Sequence, residues 1–254
     1  ANRVIISFVL GTEYTGYYSM SNKFTQILIL VSTGFQLAWQ EFAFSRSNDN
    51  NFNIGNYYSY AIDLSFRIYT VGLLLLIPFI KIFLTIWPSF INTNYSESIN
   101  LIPLAMTGSV LSILSSFIAS IFGAIKKNSM IFISTILGAI VNITILFILL
   151  YLEVGVIAAN ISFIAGFLLN VIMRIKTLEQ LIELKFKYKY FIFLFLALIV
   201  AISVYTYLSW VYSLVLAIII ISVSMVIFKS EIMSTIVRLR NRKIVTGNEG
   251  DNKW

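Results

Sequence analysis

Residues 3–44 read RVIISFVLGTEYTGYYSMSNKFTQILILVSTGFQLAWQEFAF, a stretch in which polar residues interrupt segments that are otherwise apolar. It holds the end of one apolar segment, a short loop between Gly11 and Gly16, and a second, long apolar segment. The polar residues of that long segment are Lys23, Gln26, Gln36, Gln40 and Glu41. Polar groups are costly within lipid, so this pattern predicts a functional site inside a helical membrane protein.

The composition of the chain is that of an integral membrane protein. Hydrophobic residues make up 59% of the 254 residues and charged residues 11%, and the mean hydropathy is +0.89. The apolar runs are continuous and recur along the whole length, whereas strands of a membrane barrel alternate polar and apolar residues. The predicted fold class is therefore all-α, a polytopic bundle of transmembrane helices.

Apolar stretches long enough to span a bilayer divide the chain. Seven are expected, near residues 16–44, 57–88, 98–125, 128–152, 154–176, 188–208 and 210–228. Residues 3–10 form only about 12 Å of helix, so they are expected to be the second half of a truncated first span. The chain is thus expected to be a fragment, with a transmembrane lobe over 1–228 and a basic tail over 229–254.

Positive charge alternates between the connecting segments and predicts their orientation. The formal net charge is +7, and most basic residues lie in the loop after the first full span, at Lys126 and Lys127, in the run 174–190 and in the tail. The intervening loops carry none. By the positive-inside rule the basic loops and the C-terminus are cytoplasmic. The charge is thereby assigned to membrane topology, and no nucleic-acid partner is predicted.

Arg3 and Lys23 are the candidate substrate-binding cations. Both are expected at similar membrane depth on either side of the loop 11–16, and both are expected to point into the bundle. An Arg fork beside a Lys point charge suits a phosphate or pyrophosphate. The alternatives are pairing with acidic residues outside this chain, or a Lys23 side chain that extends to the membrane surface.

A second polar group lies near the predicted cytoplasmic end of the same span. Gln36 and Gln40 are spaced i, i+4 and share a helix face, where they suit hydrogen bonds to a polar headgroup. Trp39 suits stacking on a sugar ring, although tryptophan is also a common interface anchor. With Gln26, these residues complete the candidate substrate-binding set.

Polar residues on later spans have both packing and functional interpretations. Asp63 and Arg67 form an i, i+4 pair that is either a local ion pair or a gating or coupling element. The span 98–125 carries a stripe of small residues that favours close helix packing, or that lines a wet cavity. Asn142, Asn160 and Asn170 are predicted to make hydrogen bonds between helices.

Enzymatic chemistry is not predicted. The chain has no Cys and no His, so the usual metal ligands and the usual near-neutral proton carrier are missing from its sequence. No nucleophile stands beside a base, and no glycine-rich phosphate loop is present. The sequence therefore predicts no enzyme, no metal site and no cofactor.

Several segments resemble a known family. RVIISFVLG, GTEYTGYYSMSNK and FQLAWQEFAF resemble the start of the second half of bacterial polysaccharide flippases, of the O-antigen or capsule type, in the MATE-like exporter superfamily. ISTILGAIVNITILFILL and LEVGVIAANISFIAGFLLNVIMR also fit, and the resemblance covers most of residues 1–176. In that family Asp is usual where this chain has Asn2, and Pro is usual where it has Glu41.

The resemblance implies one lobe of a two-lobe transporter in the bacterial cytoplasmic membrane. Its cargo would be a polyprenyl-pyrophosphate-linked oligosaccharide, moved from the inner to the outer leaflet by alternating access. Its partners would be that substrate, membrane lipids and an N-terminal lobe of the same protein. Arg3 and Lys23 fall where the family's cavity cations lie. The alternatives are an exporter of drug-like cations or of a peptidoglycan lipid precursor, a membrane polymerase or glycosyltransferase, and an inactive remnant.

Overall fold

Helices make up nearly all of the protein that the structure describes. The computed structural model describes residues 2–46, 54–182, 184, 186 and 188–229. Its α-helices are α1 (Asn2–Val9), α2 (Thr12–Arg46), α3 (Ile54–Ile86), α4 (Ser98–Ala124), α5 (Asn128–Tyr151), α6 (Ile157–Ile182), α7 (Tyr188–Tyr207) and α8 (Trp210–Ile227). No strand occurs among these residues, so the all-α prediction is confirmed. Apart from Lys229, the predicted tail lies outside the described residues.

Five of the described helices are long and apolar enough to cross a membrane, namely α3 from Gly55 onward, α4, α5, α6 and α8. A shorter apolar helix covers Phe191–Tyr207 within α7. The chain is therefore a helical bundle of membrane type, as predicted. Helix α2 has 35 residues and is not among the five. The predicted count of seven full spans stays a prediction.

Helix α4 lies at the centre of the bundle. Its side chains are mostly buried, and they contact α2, α3, α5, α6 and α7. Helices α5 and α8 lie at the periphery and expose large apolar side chains, among them Phe132 and Ile140 on α5 and Ile218 and Val226 on α8. An apolar outer surface of this kind suits contact with lipid chains, where it carries no hydration cost.

The turn between α1 and α2 is shorter than predicted. Helix α2 begins at Thr12, so the segment expected as the loop 11–16 forms its first turns, and that expectation is wrong. Gly11 alone reverses the chain, with a left-handed φ of +101° that glycine adopts without strain. The Thr15 hydroxyl donates to the Gly11 carbonyl at 2.9 Å, which stabilises the helix start.

The early start of α2 gives the two predicted cations different distances from the turn at Gly11. Lys23 lies about 16 Å along α2 from Thr12, whereas Arg3 lies about 9 Å along α1 from Val9, at 1.5 Å per residue. Their similar membrane depth stays a prediction.

Helix α6 continues to Ile182, six residues beyond the predicted end of its span at 176. The continuation contains neither Gly nor Pro, and it buries Leu178 completely. The basic run that was predicted to begin at 174 thus starts inside the helix, and its first residue, Arg174, is buried.

Helices α5 and α6 pack closely through two glycines. A Cβ atom on Gly166 would lie 2.7 Å from the Gly138 carbonyl oxygen and 2.9 Å from the Asn142 Cβ. On Gly138, a Cβ atom would overlap the Asn170 side-chain amide. Small residues that permit such an approach are the usual basis of helix association in membranes.

Replacing Gly166 with Ala is expected to destabilise the bundle, because the nearest obstacle is backbone and cannot rotate away. Overpacking of this kind costs about 1–3 kcal/mol. Thermal unfolding of the purified protein in detergent, followed by circular dichroism, measures the change.

The matched control is Gly72→Ala in α3, where nothing lies within 4 Å of the added Cβ. It is expected to leave the melting temperature unchanged or to raise it slightly, since Ala favours helix. Equal melting temperatures for Gly166→Ala and the unaltered protein would contradict the close α5–α6 contact.

Candidate functional site

A polar cavity of about 600 Å³ lies between α4, α5 and α6, with Gln40 of α2 at its wall. Its other polar lining residues are Ser112, Ser115, Ser116, Ser120, Thr135, Asn142, Asn170 and Arg174. The described lining residues include no Asp and no Glu. The structure therefore places these four serines of α4 in the cavity wall, and the prediction that the cavity is wet stays a prediction.

Arg174 is the charged group of this cavity. Its side chain is buried, with 5% of its surface exposed. Nε donates to Ser134 Oγ at 2.9 Å, Nη1 donates to the carbonyl and the hydroxyl oxygen of Ser115 at 2.6 and 2.7 Å, and Nη2 donates to Thr135 Oγ1 at 2.9 Å. All four acceptors are neutral oxygens, so these bonds hold the guanidinium without cancelling its charge.

The hydroxyl groups of the cavity wall are arranged as acceptors. Ser116 Oγ donates to the Ser112 carbonyl at 3.0 Å, Ser120 Oγ to the Phe117 carbonyl at 2.6 Å, and Thr135 Oγ1 to the Ile131 carbonyl at 2.7 Å. Each proton is thus used within its own helix. Ser120 Oγ already accepts one bond from Trp39 and Thr135 Oγ1 one from Arg174, which leaves each of these oxygens one lone pair for a further donor. A wall of this kind suits a ligand that donates, such as one carrying several hydroxyl groups.

Two of the three predicted interhelical amides are confirmed. Asn142 and Asn2 exchange hydrogen bonds of 3.2 Å between α5 and α1, and Asn160 donates to the Leu101 carbonyl of α4 at 3.5 Å. Asn2 also donates to the Ala159 carbonyl at 3.0 Å. The Oδ1 atom of Asn170 is buried with no hydrogen-bond partner among the described residues, because it is pressed against Gly138.

Arg3, Lys23 and Gln26 have exposed side chains. Arg3 lies in an open groove of about 640 Å³ at the α1–α2 turn, together with Ser7, Thr12, Thr15 and Ser19. Lys23 and Gln26 line neither this groove nor the Arg174 cavity. The expectation that Arg3 and Lys23 point into the bundle of this chain is wrong, since both lie on its outer surface.

Gln36, Trp39 and Gln40 have different surroundings from one another. Gln36 is half-buried and donates to the Ile113 carbonyl at 3.2 Å. Trp39 is buried, stacks on Phe117 at a centroid distance of 4.7 Å, and donates to Ser120 Oγ at 3.1 Å. Of the three, Gln40 lines the Arg174 cavity. The substrate contacts predicted for them stay predictions.

Asp63 and Arg67 form the predicted ion pair, with Arg67 Nη2 at 3.2 Å from Asp63 Oδ2. Both side chains are buried. Arg67 Nη1 also donates to the Ile227 carbonyl at 3.4 Å, and the guanidinium lies 5.9 Å from the centre of the Phe228 ring. The pair therefore joins α3 to the end of α8. Its gating or coupling role stays a prediction.

Arg174 is the residue that sequence reasoning missed. It was grouped with the basic run after the span, as a topology signal. A usable signal existed, because Gly166, Asn170 and Arg174 are spaced by four residues and share one face of α6. A small residue, an amide and a cation on one face of an apolar helix indicate a polar interior contact.

Truncating Trp39 tests its packing role. Trp39→Ala is expected to cost about 3–5 kcal/mol, because it removes a buried ring from the contact between α2 and α4. Trp39→Phe keeps the stacking and loses the bond to Ser120, at a cost of about 1 kcal/mol. Thermal unfolding in detergent ranks the two variants. Unchanged melting of Trp39→Ala would assign the ring to a ligand contact instead.

No family model, characterised protein or solved structure matches this chain. The comparisons therefore assign it to no family, and the site stands on its geometry and chemistry.

Proposed function

We propose that this chain is one lobe of a MATE-like flippase that moves a polyprenyl-pyrophosphate-linked oligosaccharide across the bacterial cytoplasmic membrane. The observation that carries the proposal is the polar cavity among helices of membrane type, with a cation and hydroxyl acceptors in its wall. The segment resemblances over residues 1–176 supply the substrate class. A membrane protein that moves a sugar through lipid needs a hydrated interior of this chemical kind.

The proposed transporter has a second, N-terminal lobe that faces this one. In this arrangement the lobe contains the seven predicted full spans, and its C-terminus is cytoplasmic. Arg3 and Lys23, exposed on the surface of this chain, would face the space between the lobes and attract the pyrophosphate. Gln26, Gln36 and Gln40 would follow along α2, so that the sugar and the pyrophosphate contact the same helix.

A second candidate function is export of another cargo by the same fold. Cationic drugs are disfavoured, because the described residues that line the Arg174 cavity include no carboxylate and do include a cation. A peptidoglycan lipid precursor is also a polyprenyl pyrophosphate, so it differs from the first proposal only in the group that the pyrophosphate carries. Competition between the two lipids for binding separates these cargoes.

Charge reversal tests the proposed pyrophosphate contacts. In the full-length protein, Arg3→Glu and Lys23→Glu are each expected to reduce surface polysaccharide by at least about tenfold, since a carboxylate repels the pyrophosphate. Surface polysaccharide is measured by immunoblotting of cell extracts, with membrane expression quantified in parallel.

The matched controls are Arg3→Lys and Lys23→Arg, which keep the charge and are expected to keep most of the export. Export at the unaltered level by both reversed variants, with normal expression, would contradict the proposed function.

A further inference from the structure

Arg174 carries a charge that its surroundings leave unbalanced. The side chain lies in α6, beyond the middle of an apolar helix, and its acceptors are hydroxyl groups and one carbonyl. A charged residue in the membrane interior costs about 2.5–3.5 kcal/mol or more unless it finds a partner of opposite charge or water. Arginine is not relieved by loss of its proton, because the guanidinium stays protonated.

No carboxylate among the described residues lines the cavity: Glu41 follows the lining residue Gln40 on α2 and Glu179 lies on α6, but neither is a lining residue. The lining residues of the cavity come from α2, α4, α5 and α6, and all but Arg174 are neutral. The ion pair between Asp63 and Arg67 belongs to α3, and it is not among the lining residues. A single cation in the wall of a cavity that is surrounded by apolar helices makes the whole cavity attractive to anions.

The donors of Arg174 also leave room for one more acceptor. An arginine side chain has five N–H groups, and four hydrogen bonds to described residues use four of them. The remaining N–H belongs to Nη2, which donates its other proton to Thr135. The half-buried amide of Gln40 also lines the cavity and can donate to an oxyanion.

We propose that the cavity between α4, α5 and α6 binds a phosphate or pyrophosphate group through Arg174, with a sugar against its hydroxyl wall. The assignment of that group to a lipid-linked glycosyl pyrophosphate rests on the proposed function, whereas the anion site itself does not. The site differs from the one predicted at Arg3 and Lys23, because Arg3 lies in a separate groove at the α1–α2 turn and Lys23 lines neither cavity. Arg174 is thus a binding residue inside the lobe.

A single cysteine measures the charge of the cavity directly. The chain contains no Cys, and Ser116 is an exposed lining residue whose hydroxyl bonds only within its own helix. Ser116→Cys, in a full-length protein from which any cysteine outside this chain has been removed, is treated with two thiol reagents, anionic sulfonatoethyl and cationic trimethylammonioethyl methanethiosulfonate. The ratio of the anionic to the cationic reaction rate is expected to be higher at this cysteine than for a small free thiol in solution.

The charge of Arg174 is tested in the same background. Arg174→Gln is expected to lower the anionic-to-cationic rate ratio by at least about fivefold, since removing a charge within several ångströms changes the local potential. Lys176→Gln is the matched control, because it removes one charge from an exposed position two residues along the same helix. It is expected to leave the ratio nearly unchanged. Arg174→Lys keeps the charge and is expected to keep the ratio.

Protection by ligands separates the sources of the anion. Inorganic pyrophosphate, and separately vesicles containing undecaprenyl pyrophosphate, are each expected to slow the reaction of Ser116→Cys, and to lose that effect in Arg174→Gln. Protection by pyrophosphate alone supports an anion site and rejects the lipid as its ligand. Because Arg174→Gln removes four hydrogen bonds, its folding is checked by size-exclusion chromatography. If it aggregates, Arg174→Lys replaces it and is expected to weaken protection by pyrophosphate, because Lys keeps the charge but loses the planar fork.

Two results would overturn the anion site. The first is a Ser116→Cys that does not react, as expected if another helix of the intact protein fills the cavity. The second is a rate ratio that responds equally to Arg174→Gln and Lys176→Gln. Neither result bears on export, which the variants at Arg3 and Lys23 test separately.

Discussion

The hydrogen bonds of one buried guanidinium tie three helices of this protein together. Arg174 of α6 donates to Ser115 of α4 and to Ser134 and Thr135 of α5. In a medium of low polarity an unpaired donor is expensive, so the three helices must keep these oxygens within reach. The close approach of α5 and α6 at Gly138 and Gly166 makes that geometry possible, and a side chain at either glycine would move the acceptors away.

The outer and inner surfaces of the bundle differ in chemical character. Outward, α5 and α8 present large apolar side chains that need no partner in lipid. Inward, α4 presents small hydroxyl residues whose protons return to their own helix carbonyls. That arrangement satisfies the hydroxyl donors without any neighbouring helix, and so it permits a cavity where packing would otherwise be required. Helix α4 is thus both the centre of the core and one wall of the candidate site.

Much of the fold was predictable from hydrophobic runs. The starts of α4, α5, α7 and α8 agree with the predicted spans, because a bilayer demands about 20 apolar residues and the turns between them are polar or contain Gly and Pro. The turn at Gly11 and the end of α6 were predicted wrongly. In both places the polar residues were assigned to a loop. Polar residues near a membrane surface are equally able to continue a helix.

The candidate site was predictable only in part. Gln40 and the small residues of α4 were recognised, but Arg174 was assigned to the cytoplasmic surface and Arg3 and Lys23 to the interior. The reason is that an exposed cation and a buried one look alike in sequence when each stands within about three turns of a helix end.

The sequence by itself determined the class of protein, the approximate positions of its helices and the presence of polar groups among them, because these follow from the cost of placing polar groups in lipid. Only the tertiary structure decided which of those polar groups share a cavity. The rotation of α6 about its own axis, together with its close contact with α5 at Gly138 and Gly166, turns Arg174 inward. That rotation depends on the neighbouring helices and not on local composition.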